Sequence, residues 1–306
     1  MKISTTFLSF AAVIISCSGF AQQVILIRDS IMDERMKSGY ATKHFAPKGA
    51  YDAQKERTGF WKDYEAKYEG SFQEADGEPM KTFGHYLLYG EGRFEAGQRV
   101  GDWRIYVVEN KTDKQILCEQ LQYVNGTAEG AFIYFYPNGE KAQDGGYENG
   151  KMEGAVTIYY TGGAVFGKQF YVKGNRHGEQ NYFYRSGKPY YTVVYENGKR
   201  EGEYNQWYEN GNLKESFRYK GDSTDGVYRY YYPDGKLWTE SQYDKGRLLN
   251  VTALYDKNGK ELYKGDLKDG NGAVNYYDEN GNVYEKTTFK DGIGIKSEKI
   301  RSVKFK

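Results

Sequence analysis

Cysteine is nearly absent: the 306 residues contain two, Cys17 and Cys118, so any fold must stand without a framework of disulfides. Histidine is as scarce. His44, His85 and His177 share no ligand spacing and have no cysteine cluster beside them, which removes the usual donor sets for zinc. Neither charge sign dominates, with 43 basic residues against 42 acidic ones, so the chain lacks the basic excess that a phosphate backbone selects and nucleic acid is not an expected partner. Uninterrupted apolar runs of the length needed for a membrane-spanning helix are missing too. There is no Gly-x-Ser-x-Gly elbow and no phosphate loop, and the many glycines follow turns instead of opening helices. Acidic turns such as Asp256-Lys257-Asn258-Gly259 lack the closing glutamate of a calcium loop. The expectation is a non-enzymatic chain with no cofactor and no metal.

The first residues read as an export signal. Lys2 precedes an apolar run from Phe7 to Ile15, and Gly19-Phe20-Ala21 supplies small residues for cleavage after Ala21. The alternative is Ile14-Ile15-Ser16-Cys17, which resembles a lipobox and would make Cys17 the lipidated first residue of an anchored lipoprotein. Either way the chain is expected outside the cytoplasm, periplasmic, secreted or tethered by its N-terminus. Residues 1–21 are assigned to this signal. With Lys2 removed, 42 basic residues face 42 acidic ones, and only Cys118 remains if cleavage follows Ala21.

What the sequence has in abundance is glycine (38) and tyrosine (32), and both are periodic. Gly139, Gly163, Gly187, Gly211, Gly235 and Gly259 recur every 24 residues, with Gly281 following after 22. Gly130, Gly154, Gly178, Gly202 and Gly226 form a second series, and Gly126, Gly150, Gly174, Gly198, Gly221, Gly246, Gly270 and Gly292 a third. A fixed period of this length signifies stacked supersecondary units. Between the second and first series lie aromatic strands such as Phe132 to Tyr136, Tyr204 to Tyr208 and Tyr228 to Tyr232; after each turn a more polar strand returns. Each unit is therefore one β-hairpin. The Asn-Gly and Asp-Gly pairs at 138–139, 210–211 and 234–235 are expected to supply positive φ, and G-x-x-x-G segments such as 150–154 to link one hairpin to the next. Three irregularities fall in turns: an extra residue between Gly221 and Gly226, a shortened Gly270 to Gly272, and an insertion around Asn110 to Lys114.

Strings such as Tyr195-Glu196-Asn197-Gly198-Lys199-Arg200-Glu201-Gly202 and Tyr231-Tyr232-Pro233-Asp234-Gly235-Lys236 resemble MORN repeats, in the tyrosine-rich bacterial variant often labelled YwqK-family antitoxins. The resemblance covers roughly two thirds of the chain, about eight repeats over 94–292. It implies an all-β fold: an extended single-layer antiparallel sheet of consecutive 24-residue hairpins, with 22–93 as an irregular N-terminal cap holding degenerate repeats (Gly59-Phe60-Trp61) and 293–306 as a C-terminal tail. It implies a scaffold and says little of activity.

Function is sought in the aromatic rows. The position four before each turn glycine is Phe135, Tyr159, Phe183, Trp207, Tyr231, Tyr255 and Tyr277, a ladder across the strands. Trp103, Trp207, Tyr208, Tyr231 and Tyr232 are the candidate binding surface, open on one face to stack against a partner. A protein partner in the cell envelope is expected, with glycan or cell wall as the alternative. The competing reading is that the rings only bury one another.

Overall fold

Two kinds of turn alternate along the chain, and each is written by a different use of glycine. In the first, two successive residues take positive φ: Asn125 (47°) and Gly126 (76°), Asn149 (51°) and Gly150 (72°), Asn197 (51°) and Gly198 (83°). This is the two-residue turn whose twist matches that of the flanking strands. In the second, only the glycine does so. At Tyr136-Pro137-Asn138-Gly139-Glu140, Gly139 has φ 88°, the Tyr136 N–H donates to the Glu140 carbonyl at 2.8 Å, and the Gly139 N–H donates to the Tyr136 carbonyl at 2.8 Å. Asn138 serves through its side chain, whose Oδ1 accepts the Glu140 N–H at 3.0 Å. The expectation that both members of Asn138-Gly139 supply positive φ is thus corrected, and the tight turn sits at the other end of the hairpin.

The computed structural model describes residues 27–28, 48–72, 81–109, 114–278 and 281–300. The residues expected to form a signal peptide, Cys17, His44, most of the apolar stretch from Val24, the inserted residues 110–113 and the last six residues lie outside them. Among the described residues there is no helix. The chain divides into two units, 1–165 and 166–306.

The first unit contains β1 (Ile27–Arg28), β2 (Lys48–Tyr51), β3 (Arg57–Phe72), β4 (Lys81–Glu95), β5 (Gln98–Glu109), β6 (Gln115–Val124), β7 (Thr127–Phe135), β8 (Lys141–Glu148) and β9 (Lys151–Tyr159). From β2 onward each strand pairs antiparallel with the next, and β1 pairs with β3. The repeat geometry begins well before Phe94. Gly59 and Gly101 both take positive φ, and Trp61 and Trp103 two residues later are both buried. Each indole lies flat over a glycine of the neighbouring strand. A Cβ on Gly49 would fall 2.2 Å from the Trp61 ring, and one on Gly92 2.4 Å from Trp103.

The second unit contains β10 (Val165–Val172), β11 (Asn175–Arg176), β12 (Gly178–Phe183), β13 (Pro189–Glu196), β14 (Lys199–Trp207), β15 (Leu213–Lys220), β16 (Ser223–Tyr231), β17 (Leu237–Asp244) and β18 (Arg247–Leu254). β10 pairs antiparallel with both β11 and β12, and from β12 onward each strand to β18 pairs antiparallel with the next. β19 (Gly272–Tyr277), β20 (Val283–Lys290) and β21 (Ile293–Lys299) form a separate three-stranded meander. The all-β class and the run of consecutive hairpins expected from the period are what the chain adopts.

Glycines of the second series lie inside strands, not in the links. Tyr195 pairs with Arg200 but Val193 pairs with Tyr204, so the register shifts around Gly202 at φ 99°. The same shift surrounds Gly154 and Gly226. These are bulge glycines. The apparent extra residue after Gly221 also resolves. Gly221 and Asp222, at φ 57° and 68°, occupy the places of Asn197 and Gly198 one period on, in reversed order. Asp222 tolerates that φ because its carboxylate accepts the Arg200 backbone N–H at 2.9 Å.

Candidate functional site

Alternation sends the aromatic residues of each strand to opposite faces. In β14, Tyr204 and Gln206 lie on one face, and Asn205 and Trp207 on the other. The first face is the core. Tyr182 stacks on Tyr191 with centroids 4.2 Å apart, and contacts continue through Tyr204, Phe217 and Tyr228 to Tyr243. In this row Gln180 replaces an aromatic and is fully buried. Its amide is satisfied: Oε1 accepts the Phe170 N–H at 3.0 Å, and Nε2 donates to the His177 carbonyl at 2.9 Å. The ladder expected four before each turn glycine is not this core; Phe183, Trp207 and Tyr231 project from the opposite, polar face and are half-buried.

A third row was not anticipated. The tyrosine three before four of the turn glycines reaches the next repeat, its hydroxyl donating to a backbone carbonyl 23 residues on. Tyr184 donates to Trp207 at 2.6 Å, Tyr208 to Tyr231 at 2.8 Å, and Tyr232 to Tyr255 at 2.9 Å. In the first unit Tyr136 does the same to Tyr159. At the following positions Asp256 and Asp278 stand instead, and their carboxylates accept N–H groups of their own turns. The opposite ends of the strands are tied as well. Gly126 donates to Arg99, Gly150 to Ala128, Gly198 to Arg176, Asp222 to Arg200 and Gly246 to Thr224, each backbone N–H to backbone carbonyl at 2.7–3.0 Å. Arginines two before bulge glycines add cation–ring contacts, Arg99 over Trp103 at 4.4 Å and Arg200 over Tyr219 at 4.3 Å. The recurrence of tyrosine at that position was the available signal for the hydroxyl row; the arginines gave only a partial one.

The five candidate residues therefore separate. Trp103, in the first unit, is 1% exposed, donates its indole N–H to the Arg93 carbonyl at 3.2 Å and packs edge-on against Phe94. Tyr232 is 4% exposed and stacks on Trp238 with planes 5° apart. Both serve packing, not an open surface, because they point to the face the rings cover. Tyr208 is held by its hydroxyl, with Lys214 5.8 Å from the ring centre. Burial raises the Tyr208 hydroxyl pKa, as it does for Tyr184, which is pushed up to about 12, so both remain protonated donors at neutral pH. Trp207 and Tyr231 share the polar face two strands apart. Their side chains have no hydrogen-bond or ring partner among the described residues.

Among the described residues no three His, Cys, Asp or Glu side chains converge as a metal site. No described helix is long and apolar enough to cross a membrane. With the hairpins and their connections defined, the comparison with known families is specific. Four stretches match the MORN repeat variant. They are 176–197, 200–220, 224–245 and 271–291, all in the second unit. The same turn-to-turn hydrogen bonds recur in the first unit. No curated protein matches the chain. Among solved structures, a chain in the crystal structure of TcdB2-TccC3-Cdc42 is 10% identical, with TM-score 0.18 over 79% of this chain and 15% of that one. A chain of the Photorhabdus luminescens Tc holotoxin pore is 10% identical with TM-score 0.19, over 87% and 15%. This chain thus spans about 15% of the length of either, and likenesses so slight bear on neither fold nor function.

Proposed function

We propose that this chain is a non-catalytic binding scaffold of the cell envelope that engages a protein partner by strand addition. The observation that supports the reading is β21. It ends its three-stranded sheet, all seven of its residues are exposed, and Ile293 and Ile295 are 55% and 61% exposed. An edge strand with exposed aliphatic side chains offers a partner strand both backbone groups and apolar contact. The four MORN variant matches suit a repeat-based binding role. Export through cleavage after Ala21, or tethering through Cys17, would place this edge in the envelope. An antitoxin role, carried by the resemblance of the repeats, requires that its toxin be exported too.

The test is a pull-down from envelope extract with the full chain and with Ile295→Lys, since a lysine on an edge strand discourages strand pairing. A specific protein that is retained by the wild type and lost from the variant, with the melting temperature unchanged, is the expected result. Equal recovery of every partner by the two proteins would sink the reading.

A further inference from the structure

Strands β12 to β17 have a neighbour on each side, so their backbone groups are consumed by the sheet and their polar face can recognise a ligand only through side chains. Two rows cross that face. One runs through directly paired residues: Asn181 opposite Thr192, Thr192 opposite Asn205, Asn205 opposite Ser216. All four are half-buried, and none of their side chains has a hydrogen-bond partner among the described residues. The second row, two residues further along alternate strands, is Phe183, Trp207 and Tyr231. The surface is distinct from the β21 edge and stands or falls separately.

Charge narrows the ligand. The four polar residues are all neutral, and the next pair in the row, Arg229 and Glu240, neutralise each other at 2.7 Å. Beyond these, exposed Lys168 opposite Asn181 and exposed Arg218 are matched on the same face by exposed Glu179 and Glu203, so the face carries both signs and favours neither an anionic nor a cationic polymer. Flat rings beside free amides and hydroxyls suit a pyranose, whose C–H face stacks on an aromatic while its equatorial hydroxyls accept and donate in plane. The spacing fits as well. Neighbouring strands lie about 4.8 Å apart, so a polar side chain recurs at about that interval and an aromatic ring at about 9.6 Å. An extended β-1,4-linked chain advances by a similar step per sugar, and presents the same face at every second unit.

We propose that the polar face of β12 to β16 binds an uncharged, extended β-1,4-linked glycan lying across the strands, with alternate sugars on Phe183, Trp207 and Tyr231. The hydroxyls between them meet Asn181, Thr192, Asn205 and Ser216. Trp207 is central because its indole is the largest platform and its N–H is an unused donor.

Isothermal titration of the full chain with cellohexaose, chitohexaose, maltohexaose and a heparin-derived hexasaccharide tests the proposal. At least one β-1,4 hexamer binds and perturbs tryptophan fluorescence, while the curved α-1,4 chain and the charged chain do not. Trp207→Ala weakens binding about tenfold or more, the range of an aromatic anchor at an interface, and Trp207→Phe by less. Asn181→Ala with Asn205→Ala, which leaves every ring in place, weakens it with the melting temperature unchanged, so the result does not hinge on whether Trp207→Ala folds. Binding of neither β-1,4 hexamer, equal binding of maltohexaose or heparin, or full affinity in the double alanine variant would each overturn the proposal.

Discussion

The hydroxyl row admits a test that alters three atoms. Replacing Tyr184, Tyr208 and Tyr232 together by phenylalanine keeps every ring, including the stack of Tyr232 on Trp238, and deletes three donors that sit 2.6, 2.8 and 2.9 Å from their carbonyls. One such bond is worth about 1 kcal/mol net. The three tyrosines stand two strands apart, about 9.6 Å, far enough for their effects to add within about 0.5 kcal/mol. The triple variant should therefore lose about 3 kcal/mol. For a unit of this size each kcal/mol lowers the melting temperature by roughly 2–4 °C, so a fall of roughly 6–12 °C is expected by calorimetry. Tyr231→Phe is the control, since its hydroxyl has no partner among the described residues, and it should melt with the wild type. A triple variant within about 2 °C of wild type, or a control that falls as far, would refute the idea that these hydroxyls tie repeat to repeat.

Two other expectations concern packing and titration. Gly92→Ala places a methyl 2.4 Å from the Trp103 ring and should cost about 1–3 kcal/mol as overpacking; Trp103→Leu in the same chain should recover part of that, and unfolding in urea distinguishes rescue from simple addition. Burial pushes the Tyr184 and Tyr276 hydroxyls up to about 12, against about 10 in the unfolded chain. The unfolded state then loses protons first, so stability is unaffected below about pH 10, falls as pH rises toward about 12 and levels beyond. A urea midpoint that stays flat between about pH 9 and 12 would contradict this.

The hairpin period was legible because turn glycines are the least replaceable residues of such a fold, and three registered series mark every unit. The two turn types were not, since both can be written Asn-Gly: Asn149 takes positive φ with Gly150, whereas beside Gly139 only the glycine does, and the dipeptide alone does not tell them apart. The choice of face was illegible for a related reason. Positions seven and four before the turn glycine lie on opposite sides of a strand, and both are filled with rings, as Tyr204 and Trp207 show. Composition could not say which ring faces inward; the cross-strand neighbours could, phenylalanine opposite Tyr204 and leucine opposite Trp207, with asparagine and serine beside it. The hydroxyl row escaped because its bonds join residues 23 apart, which no local pattern encodes. Gly221-Asp222 looked like an insertion because only the glycine was counted; with the pair taken as a unit the period is unbroken.

The replacement of tyrosine by Asp256 and Asp278 amounts to punctuation. A tyrosine at this position addresses the carbonyl of a following repeat, whereas an aspartate accepts the N–H groups of its own turn. Whole units cut or pasted upstream of Asp256 at equivalent positions leave each hydroxyl with a carbonyl to meet, so the length of the series can change without new side chains. Downstream, lengthening it requires rewriting the aspartate first.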